Sequence, residues 1–110
     1  MTTISLEPVD SITITTLVDN ATDMLAPDQG PARRADVAAA GAPRMPAAFL
    51  EGGQALDALR AEHGFSALVT IERAGKSRRL LFDAGLTPDG LVENMRRLSL
   101  SPKDIEVIVP

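Results

Sequence analysis

Alternating apolar and polar positions are clearest in the middle of the chain. Every second residue from Phe65 to Ile71 is apolar, the period of two that is typical of a β-strand. The short stretch Ala74–Ser77 is mostly polar and contains a glycine, so the next apolar run, Leu80–Phe82, can fold back as an antiparallel partner. The pattern predicts a β-hairpin whose second strand ends on Asp83, and Gly85 then allows a sharp turn.

A further strand is predicted near the N-terminus. Met1–Asp10 is expected to be a frayed lead-in, because Pro8 discourages strand pairing. Ser11–Val18 is rich in β-branched residues and alternates well enough to predict a strand. The apolar residues expected to share one face of this strand are Ile12, Ile14 and Val18.

Two helices and a last strand complete the predicted elements. Gln54–His63 has its apolar residues on one side and is followed by Gly64, which predicts a short helix with a glycine C-cap. A second helix is predicted after Thr87, a suitable N-cap. Its apolar face is expected to comprise Leu91, Val92, Met95 and Leu98. Ser101-Pro102 repeats the cap-plus-proline pattern for one more turn, and Ile105–Val109 predicts an apolar strand.

The long segment Ala21–Gly53 has no periodicity and is interrupted repeatedly by proline and glycine. Its one short helical pattern is Val37–Ala40. A loop of this length in a compact domain is usually functional or disordered. Two interpretations therefore stay open for it, a disordered loop and a solvated flap.

Composition and charge exclude several classes of protein. The chain has 110 residues, which is at most one domain, and it has no cysteine for disulfides or thiolate metal sites. Its net charge is −4 and its basic residues are scattered, so binding to nucleic acid is not expected. The N-terminus has no signal-peptide pattern, and no apolar run is long enough to span a membrane. The expectation is a cytoplasmic protein with no membrane partner.

Four motifs in order resemble the N-terminal half of a metallo-β-lactamase-fold metallo-hydrolase. They are LVDNATDM, EHGFSALV, LLFDAG with the helix TPDGLVENMRRL, and SPKDIEVIV. The first two are similar to the dihydropterin ribofuranosyl-aminobenzene phosphate synthase-like branch of that superfamily. The resemblance implies an α/β fold in which residues 1–110 form a single partial domain, the first half of an αββα sandwich. That family's metal-binding run, His-x-His-x-Asp-His, is expected after Ile105–Val109, so the chain is truncated before it.

The same resemblance implies a function. The chain is expected to be the N-terminal fragment of a metal-dependent hydrolase and to be inactive by itself. A full-length relative is expected to bind two zinc-type divalent metals and a small-molecule substrate, whereas this chain supplies no metal ligands of its own.

Asp83 and Gly85 are the candidates for supporting a metal site. A buried carboxylate at a strand end needs hydrogen bonds or a charged partner. Asp83 can satisfy this need by accepting backbone N–H groups of the turn Ala84–Leu86. The resemblance implies a second role, in which the same acid braces the metal site without contacting the metal. The two interpretations can hold together.

Asn20, Asp23 and His63 are the candidates for the substrate side or the flap. A lone histidine cannot make a zinc site, which needs three or four ligands. His63 can instead bond the last carbonyls of the predicted helix, or contact a substrate as the resemblance implies. Asn20 and Asp23 are either turn-forming residues or, by the resemblance, residues that border the active-site groove.

An alternative function follows from the predicted sheet. If the second half of the sandwich is absent, the face that carries Phe65, Val69 and Ile71 lies open to water. Exposed apolar surface of this kind marks an interaction site or an aggregation risk. The alternative is therefore a stand-alone small α+β binding module without catalytic activity, which could self-associate through this sheet face.

Overall fold

The computed structural model describes residues 1–35 and 43–110. It is an α/β structure made mostly of strands, with a mixed four-stranded sheet and one α-helix among the described residues. The predicted helical stretch Val37–Ala40 lies outside the described residues. The elements in chain order are β1 (Ser11–Val18), β2 (Arg44–Pro46), β3 (Gln54–Leu56), β4 (Ser66–Arg73), β5 (Lys76–Phe82), α1 (Gly90–Arg97), a single 3-10 turn (Pro102–Asp104) and β6 (Val107–Val109).

The main sheet has the strand order β1-β4-β5-β6. β4 runs antiparallel to both β1 and β5, while β6 runs parallel to β5. The predicted hairpin is confirmed, and β5 begins earlier than its apolar run because Lys76–Arg79 pairs with Thr70–Arg73. The chain between β5 and β6 contains α1, which packs on one face of the sheet.

The buried core lies between α1 and this face of the sheet. Its fully buried members are Leu17, Leu68, Leu81 and Met95, and Leu91, Leu98, Leu100 and Ile105 pack against them. The predicted helix is confirmed, but it begins at Gly90 with Asp89, not Thr87, at its N-cap; Thr87 Oγ1 accepts a hydrogen bond from Gly90 N–H at 3.2 Å. Val92 is exposed, however, and the buried face of α1 includes Asn94 in its place. The predicted turn after Ser101 is also confirmed, because its hydroxyl accepts from Lys103 N–H.

A β-bulge in β1 changes which of its residues are buried. The register shifts between Thr16 and Val18, so that Val18 pairs with Ser66 whereas Ile14 pairs with Val69. Ser66 and Val69 lie on opposite faces of β4, because side chains alternate along a strand. The prediction that Val18 shares a face with Ile12 and Ile14 is therefore wrong. Val18 is buried, and the two isoleucines are exposed.

The predicted helix Gln54–His63 is also wrong. Gln54–Leu56 is the strand β3, which pairs with β2, and the chain from Asp57 to Phe65 has no regular structure. Its backbone groups are bonded by distant residues instead: Asn94 bonds both the N–H and the C=O of Arg60, and Glu62 N–H donates to Asp19 C=O. Because these tertiary bonds satisfy the backbone, the local helix preference does not decide the conformation.

The segment predicted to be a flap or disordered loop contains some regular structure. β2 lies within it and forms a two-stranded antiparallel sheet with β3. Gln29 and Ala32 form an isolated bridge. The lead-in Met1–Asp10 is exposed and has no strand of its own, although Asp10 N–H donates to Glu72 C=O next to β1.

The chain is elongated, with extents of 65 × 30 × 23 Å. Its accessible surface is 8403 Å², whereas a compact monomer of this mass would expose about 5,800 Å². The described residues form one helical layer on one four-stranded sheet, which is half of the layers expected of an αββα sandwich. In residues 1–35 and 43–110, neither α1 nor the 3-10 turn has the length and apolar character that a membrane span requires.

Candidate functional site

The candidate site lies at the edge of the main sheet where β1, β5 and β6 end and β4 begins. Backbone hydrogen bonds join the chain segments that leave this edge. Gly85 N–H donates to Phe65 C=O at 3.1 Å, Asp83 N–H to Val109 C=O at 2.8 Å, and Glu62 N–H to Asp19 C=O at 3.1 Å. We call this region, made of residues 19–20, 62–65, 83–87 and 109, the carboxyl edge.

Most of the residues predicted for the site meet at the carboxyl edge. Asn20 Oδ1 accepts a hydrogen bond from Gly64 N–H at 3.0 Å. Because Gly64 directly follows His63 in the chain, this bond brings the Asn20 side chain to the segment that carries His63. His63 is exposed and, since no helix forms here, it does not cap one. Asp23 lies further along the loop, where its carboxylate accepts from Leu25 N–H at 2.9 Å in a local turn. The structure therefore brings Asn20 and His63 to the edge and leaves Asp23 beyond it.

Asp83 is fixed by its backbone. It has a positive φ of 56°, which aspartate tolerates better than most residues. Its C=O accepts from the Ser66 hydroxyl at 2.7 Å, and its own carboxylate accepts from Ala84 N–H at 2.6 Å. The carboxylate is exposed, so the expectation of a buried acid is wrong. Its role beside a metal site stays a prediction.

Glu62, and not Asp83, bonds the rest of the turn after β5. Glu62 Oε1 accepts from Leu86 N–H at 2.8 Å and from Thr87 N–H at 3.2 Å, and Oε2 accepts from the Thr87 hydroxyl. The Thr87 hydroxyl, followed by Leu86 N–H, holds the pKa of Glu62 below its usual value. No local pattern in the sequence marks this acid, because its partners lie more than twenty residues away.

Glycines allow the two segments of the carboxyl edge to approach each other. A Cβ on Gly64 would lie 3.1 Å from Gly85 Cα and from Leu86 N. Gly85 has a φ of 73°, and a Cβ there would collide with the Glu62 carboxylate and lie 3.1 Å from Val18. The predicted turn at Gly85 is therefore required both by its backbone conformation and by this close contact.

Asn94 joins α1 to β1 and to the segment before β4. Its side chain is only 2% exposed. Asn94 Nδ2 donates to Leu17 C=O at 2.8 Å and to Arg60 C=O at 2.9 Å, while Oδ1 accepts from Arg60 N–H at 2.9 Å. The signal available in the sequence was a polar residue flanked by Leu91, Met95 and Leu98 in a helix, and counting only apolar positions overlooks it.

An ion-pair cluster holds the same segment against the end of α1. Asp57 accepts from Arg96 Nη2 at 2.8 Å and from Arg97 Nε at 2.8 Å, and the Arg97 side chain is buried. The Arg96 hydrogen bond is the main reason that the pKa of Asp57 lies below its usual value; Arg97 adds to this effect, and burial opposes it. Asn94 satisfies backbone groups of Arg60 that have no helical partner, and the ion pairs of Asp57 hold the same segment against α1.

A cavity of about 250 Å³ opens on the helix side of the carboxyl edge. Its lining includes Leu17, Asp19, Thr22, Met24, Leu59 and Asn94. It is smaller than the roughly 300–1,000 Å³ of most ligand pockets. The cavity therefore has room for a small group of a substrate rather than for a whole cofactor.

The chemistry of the described residues does not fit a metal centre. Residues 1–35 and 43–110 contain no group of three or more histidine, aspartate or glutamate side chains placed to hold a metal ion. A zinc ion needs three or four such ligands. A metal ion at the carboxyl edge would therefore need its ligands from outside the described residues.

Comparison with known proteins gives one distant similarity. Over 48 residues, 44% of this chain, the sequence is 35% identical to the 7,8-dihydropterin-6-methyl-4-(beta-D-ribofuranosyl)-aminobenzene-5'-phosphate synthase of Methanocaldococcus jannaschii. The aligned stretch spans 16% of that protein's length. No protein-family model matches the chain, and no solved structure matches it.

Proposed function

We propose that this chain is the N-terminal part of a metal-dependent hydrolase of the metallo-β-lactamase superfamily. In this proposal the described half-sandwich supplies the scaffold on one side of the active site, and the metal ligands come from a second part of the enzyme. The substrate is a small molecule with an ester, phosphoester or related bond.

The observation that carries the proposal is the geometry of the carboxyl edge. Asn20, His63 and the turn of Asp83 and Gly85 are three segments far apart in sequence, yet the hydrogen bonds of the edge bring them together. β6 ends at the same edge, where Val109 C=O accepts from Asp83 N–H. A ligand run that followed β6 would therefore start beside these residues.

The similarity to the Methanocaldococcus jannaschii protein supports the same branch of the superfamily. The name of that protein calls it a synthase. The hydrolase class in our proposal comes from the motif resemblance and not from that name. Because the alignment spans 16% of the relative, the substrate of the relative is not transferred to this chain.

Each of the candidate residues at the carboxyl edge has a role in the proposed enzyme. Two zinc-type metals, when bound in the full enzyme, supply the activation of a water molecule. Asp83 and Gly85 would support a metal site without contacting a metal, while His63 and Asn20 would face the substrate side, with Asp23 on the loop that borders it. Glu62 fixes the turn through Leu86 and Thr87.

The decisive experiment reads the coding DNA downstream of codon 110 in every frame. We expect a His-x-His-x-Asp-His segment shortly after β6. The continuous product should then contain bound metal by elemental mass spectrometry and hydrolyse a chromogenic phosphodiester or ester. Unrelated downstream sequence, together with a product that holds no metal, would contradict the proposal.

A variant of that product tests the role of Asp83. Asp83→Ala should lower both metal content and hydrolysis, because the turn behind the metals loses its acid. The matched control is Asp104→Ala, which removes an exposed acid beside Arg79, away from the carboxyl edge. Equal metal content in the two variants would remove Asp83 from the proposed site.

A zinc titration of the 110-residue chain tests whether the metal ligands come from the second part of the enzyme and not from this chain. Calorimetry should find binding no tighter than that of a peptide with one histidine, because His63 has no partner ligands of its own in the described residues. Submicromolar binding of one zinc ion per chain would mean that the carboxylates of this chain form a metal site by themselves.

One observation favours a second candidate function, a small binding module. One face of the main sheet carries exposed apolar side chains, including Ile14 and Phe82. A module would use that face for binding and would need no metal. The downstream DNA separates the two candidates, because the module does not require a ligand run after β6.

A further inference from the structure

The two faces of the main sheet are covered very differently. The strand register places Ile12 opposite Ile71, Ile14 opposite Val69, and Leu80 opposite Val107 on the face away from α1. We call this the open face. Its most exposed apolar side chains are Ile12 (59%), Ile14 (67%), Phe65 (43%), Phe82 (44%) and Val107 (49%).

These side chains form one patch. Phe65 and Phe82 are in edge-to-face contact, with ring centroids 6.3 Å apart, at the carboxyl edge. Ile12 and Ile14 lie on β1 at one border of the sheet, and Val107 lies on β6 at the other. Val69, Ile71 and Leu80 between them are only half-buried. The patch therefore runs across all four strands.

The area of the open face is large for a monomer. Each of the five most exposed side chains leaves about 100 Å² in water, so together they expose roughly 500 Å², close to the upper limit for the largest apolar patch of a soluble monomer. Two copies that covered each other through these side chains alone would bury about 1,000 Å², the lower limit for a specific interface. The half-buried residues between them add to this area.

The buried core is small in comparison. Among the described residues, six apolar side chains are buried: Leu17, Val18, Ala67, Leu68, Leu81 and Met95. Most of these side chains lie between the sheet and α1, while Ala67 is buried on the open face opposite Phe82. Covering the open face would give the sheet a second apolar layer.

We propose that the open face of this chain packs against the open face of a second copy, so that the 110-residue protein is a two-fold symmetric dimer. A face-to-face pair of sheets packs about 10 Å apart with strands aligned within about 30°, and two identical twisted sheets meet this condition. A two-fold axis makes the contact self-complementary, because each patch meets its own copy. Arg78, a residue of β5, lies on the open face opposite Ile71 and pairs with Glu106 at 2.9 Å, which makes this corner of the patch polar.

The dimer and the proposed hydrolase cover the open face with different partners. In a longer enzyme the second half of the sandwich would cover the same face within one chain. The dimer is therefore the state of the 110-residue chain by itself, and its test uses only that chain.

Sedimentation velocity of the 110-residue protein over a wide concentration range tests the proposal. We expect a dimer for the wild type. Ile14→Glu should weaken dimerisation by about a hundredfold or more, because it places a charge in the middle of an apolar contact. Val107→Lys should have the same effect from the opposite border of the sheet. Both positions are about half exposed or more in the single chain, so the variants leave the core intact.

The matched control is Ile4→Glu, the same substitution at an exposed residue (79%) of the lead-in. It should leave the dimer unchanged. A wild type that sediments as a monomer would overturn the proposal, as would large aggregates in place of a dimer. An Ile14→Glu variant that retains its fold by circular dichroism and dimerises as the wild type does would also overturn it.

Discussion

The two faces of the main sheet are made from alternate residues of the same strands, yet one is sealed and the other is open. On the sealed face Leu68 and Leu81 are buried beneath α1. Their neighbours along the strands, Val69 and Phe82, belong to the open face. The apolar pattern alone therefore does not decide which face is covered. The difference is that the chain between β5 and β6, which contains α1, covers only one of the two faces.

Polar contacts hold α1, and the turn that leads into it, over the sealed face. Asn94 joins α1 to β1 and to Arg60, and Glu62 holds the turn that leads into α1. Gly85 permits that turn to lie against Glu62. The described residues place no such layer over the open face. A small set of long-range hydrogen bonds thus determines which apolar surface becomes the core.

The largest effect should come from shortening a core side chain on the sealed face. Met95→Ala should lower the free energy of unfolding by about 2–5 kcal/mol, because Met95 is fully buried between α1 and the sheet. Ile14→Ala, on the open face, should change it by no more than about 0.5 kcal/mol in dilute protein. Urea unfolding measures both. Equal losses in the two variants would show that the faces are covered alike and would break the comparison.

The sequence was sufficient for the elements whose structure depends on local pattern. The alternation in Ser11–Val18 and from Phe65 to Ile71, the glycine turn at Gly75 and the helix start signal at Thr87, three residues before α1 begins, all predicted elements that the structure has. These residues form their elements through neighbours in the chain. A period of two or a capping residue is enough to identify them.

The sequence was insufficient wherever a distant residue decides the local structure. Gln54–His63 has a helical pattern, but Asn94 bonds the backbone of Arg60, and Arg97 bonds the carboxylate of Asp57, with the segment in a non-helical form. Val18 is buried because of a bulge that no residue type in β1 marks. Asp83 was predicted to hold the turn after β5, whereas Glu62 accepts most of its N–H groups. Tertiary contacts override local preference in each case.

The second prediction removes the amide that holds α1 over the sealed face. Asn94→Ala should cost about 2–4 kcal/mol, because it leaves Leu17 C=O and both backbone groups of Arg60 without their buried partner. Asn20→Ala is the control, since the exposed Asn20 loses one bond, to Gly64, and should cost about 1 kcal/mol or less. If thermal unfolding finds equal costs, then the position of α1 over the sealed face does not depend on Asn94.

The third prediction separates two reasons for a glycine. Gly85 and Gly75 both have a φ of 73°, but a Cβ on Gly75 would meet nothing within 4 Å, whereas one on Gly85 would collide with Glu62. Gly75→Ala should cost about 1 kcal/mol for the left-handed backbone alone. Gly85→Ala should cost at least about 1 kcal/mol more, because Glu62 and Val18 must also move. Similar unfolding free energies for the two variants would exclude the close contact.

The smallest effect should come from the charge of Glu62, and its pH dependence identifies it. The pKa of this carboxylate is lowered in the folded chain by the Thr87 hydroxyl and Leu86 N–H. Its contribution is therefore fully present above the unfolded value, about 4.3, and is lost as the pH falls below that value through the folded pKa. Glu62→Gln should lower the Tm by a few degrees at neutral pH and by progressively less below about pH 4.

The Glu62→Gln variant should still lose stability in acid. Asp57 also has a lowered pKa, through Arg96, so part of the loss of stability in acid belongs to the ion pairs at the end of α1. The control Glu51→Gln, in the exposed turn between β2 and β3, should follow the wild type at every pH. Thermal scans of the three proteins across the acid range measure the difference. If the difference in Tm between the wild type and Glu62→Gln stays constant with pH, then the shape of the Glu62 side chain, and not its charge, holds the turn. The ionised carboxylate would then make no contribution to the packing of α1 on this face.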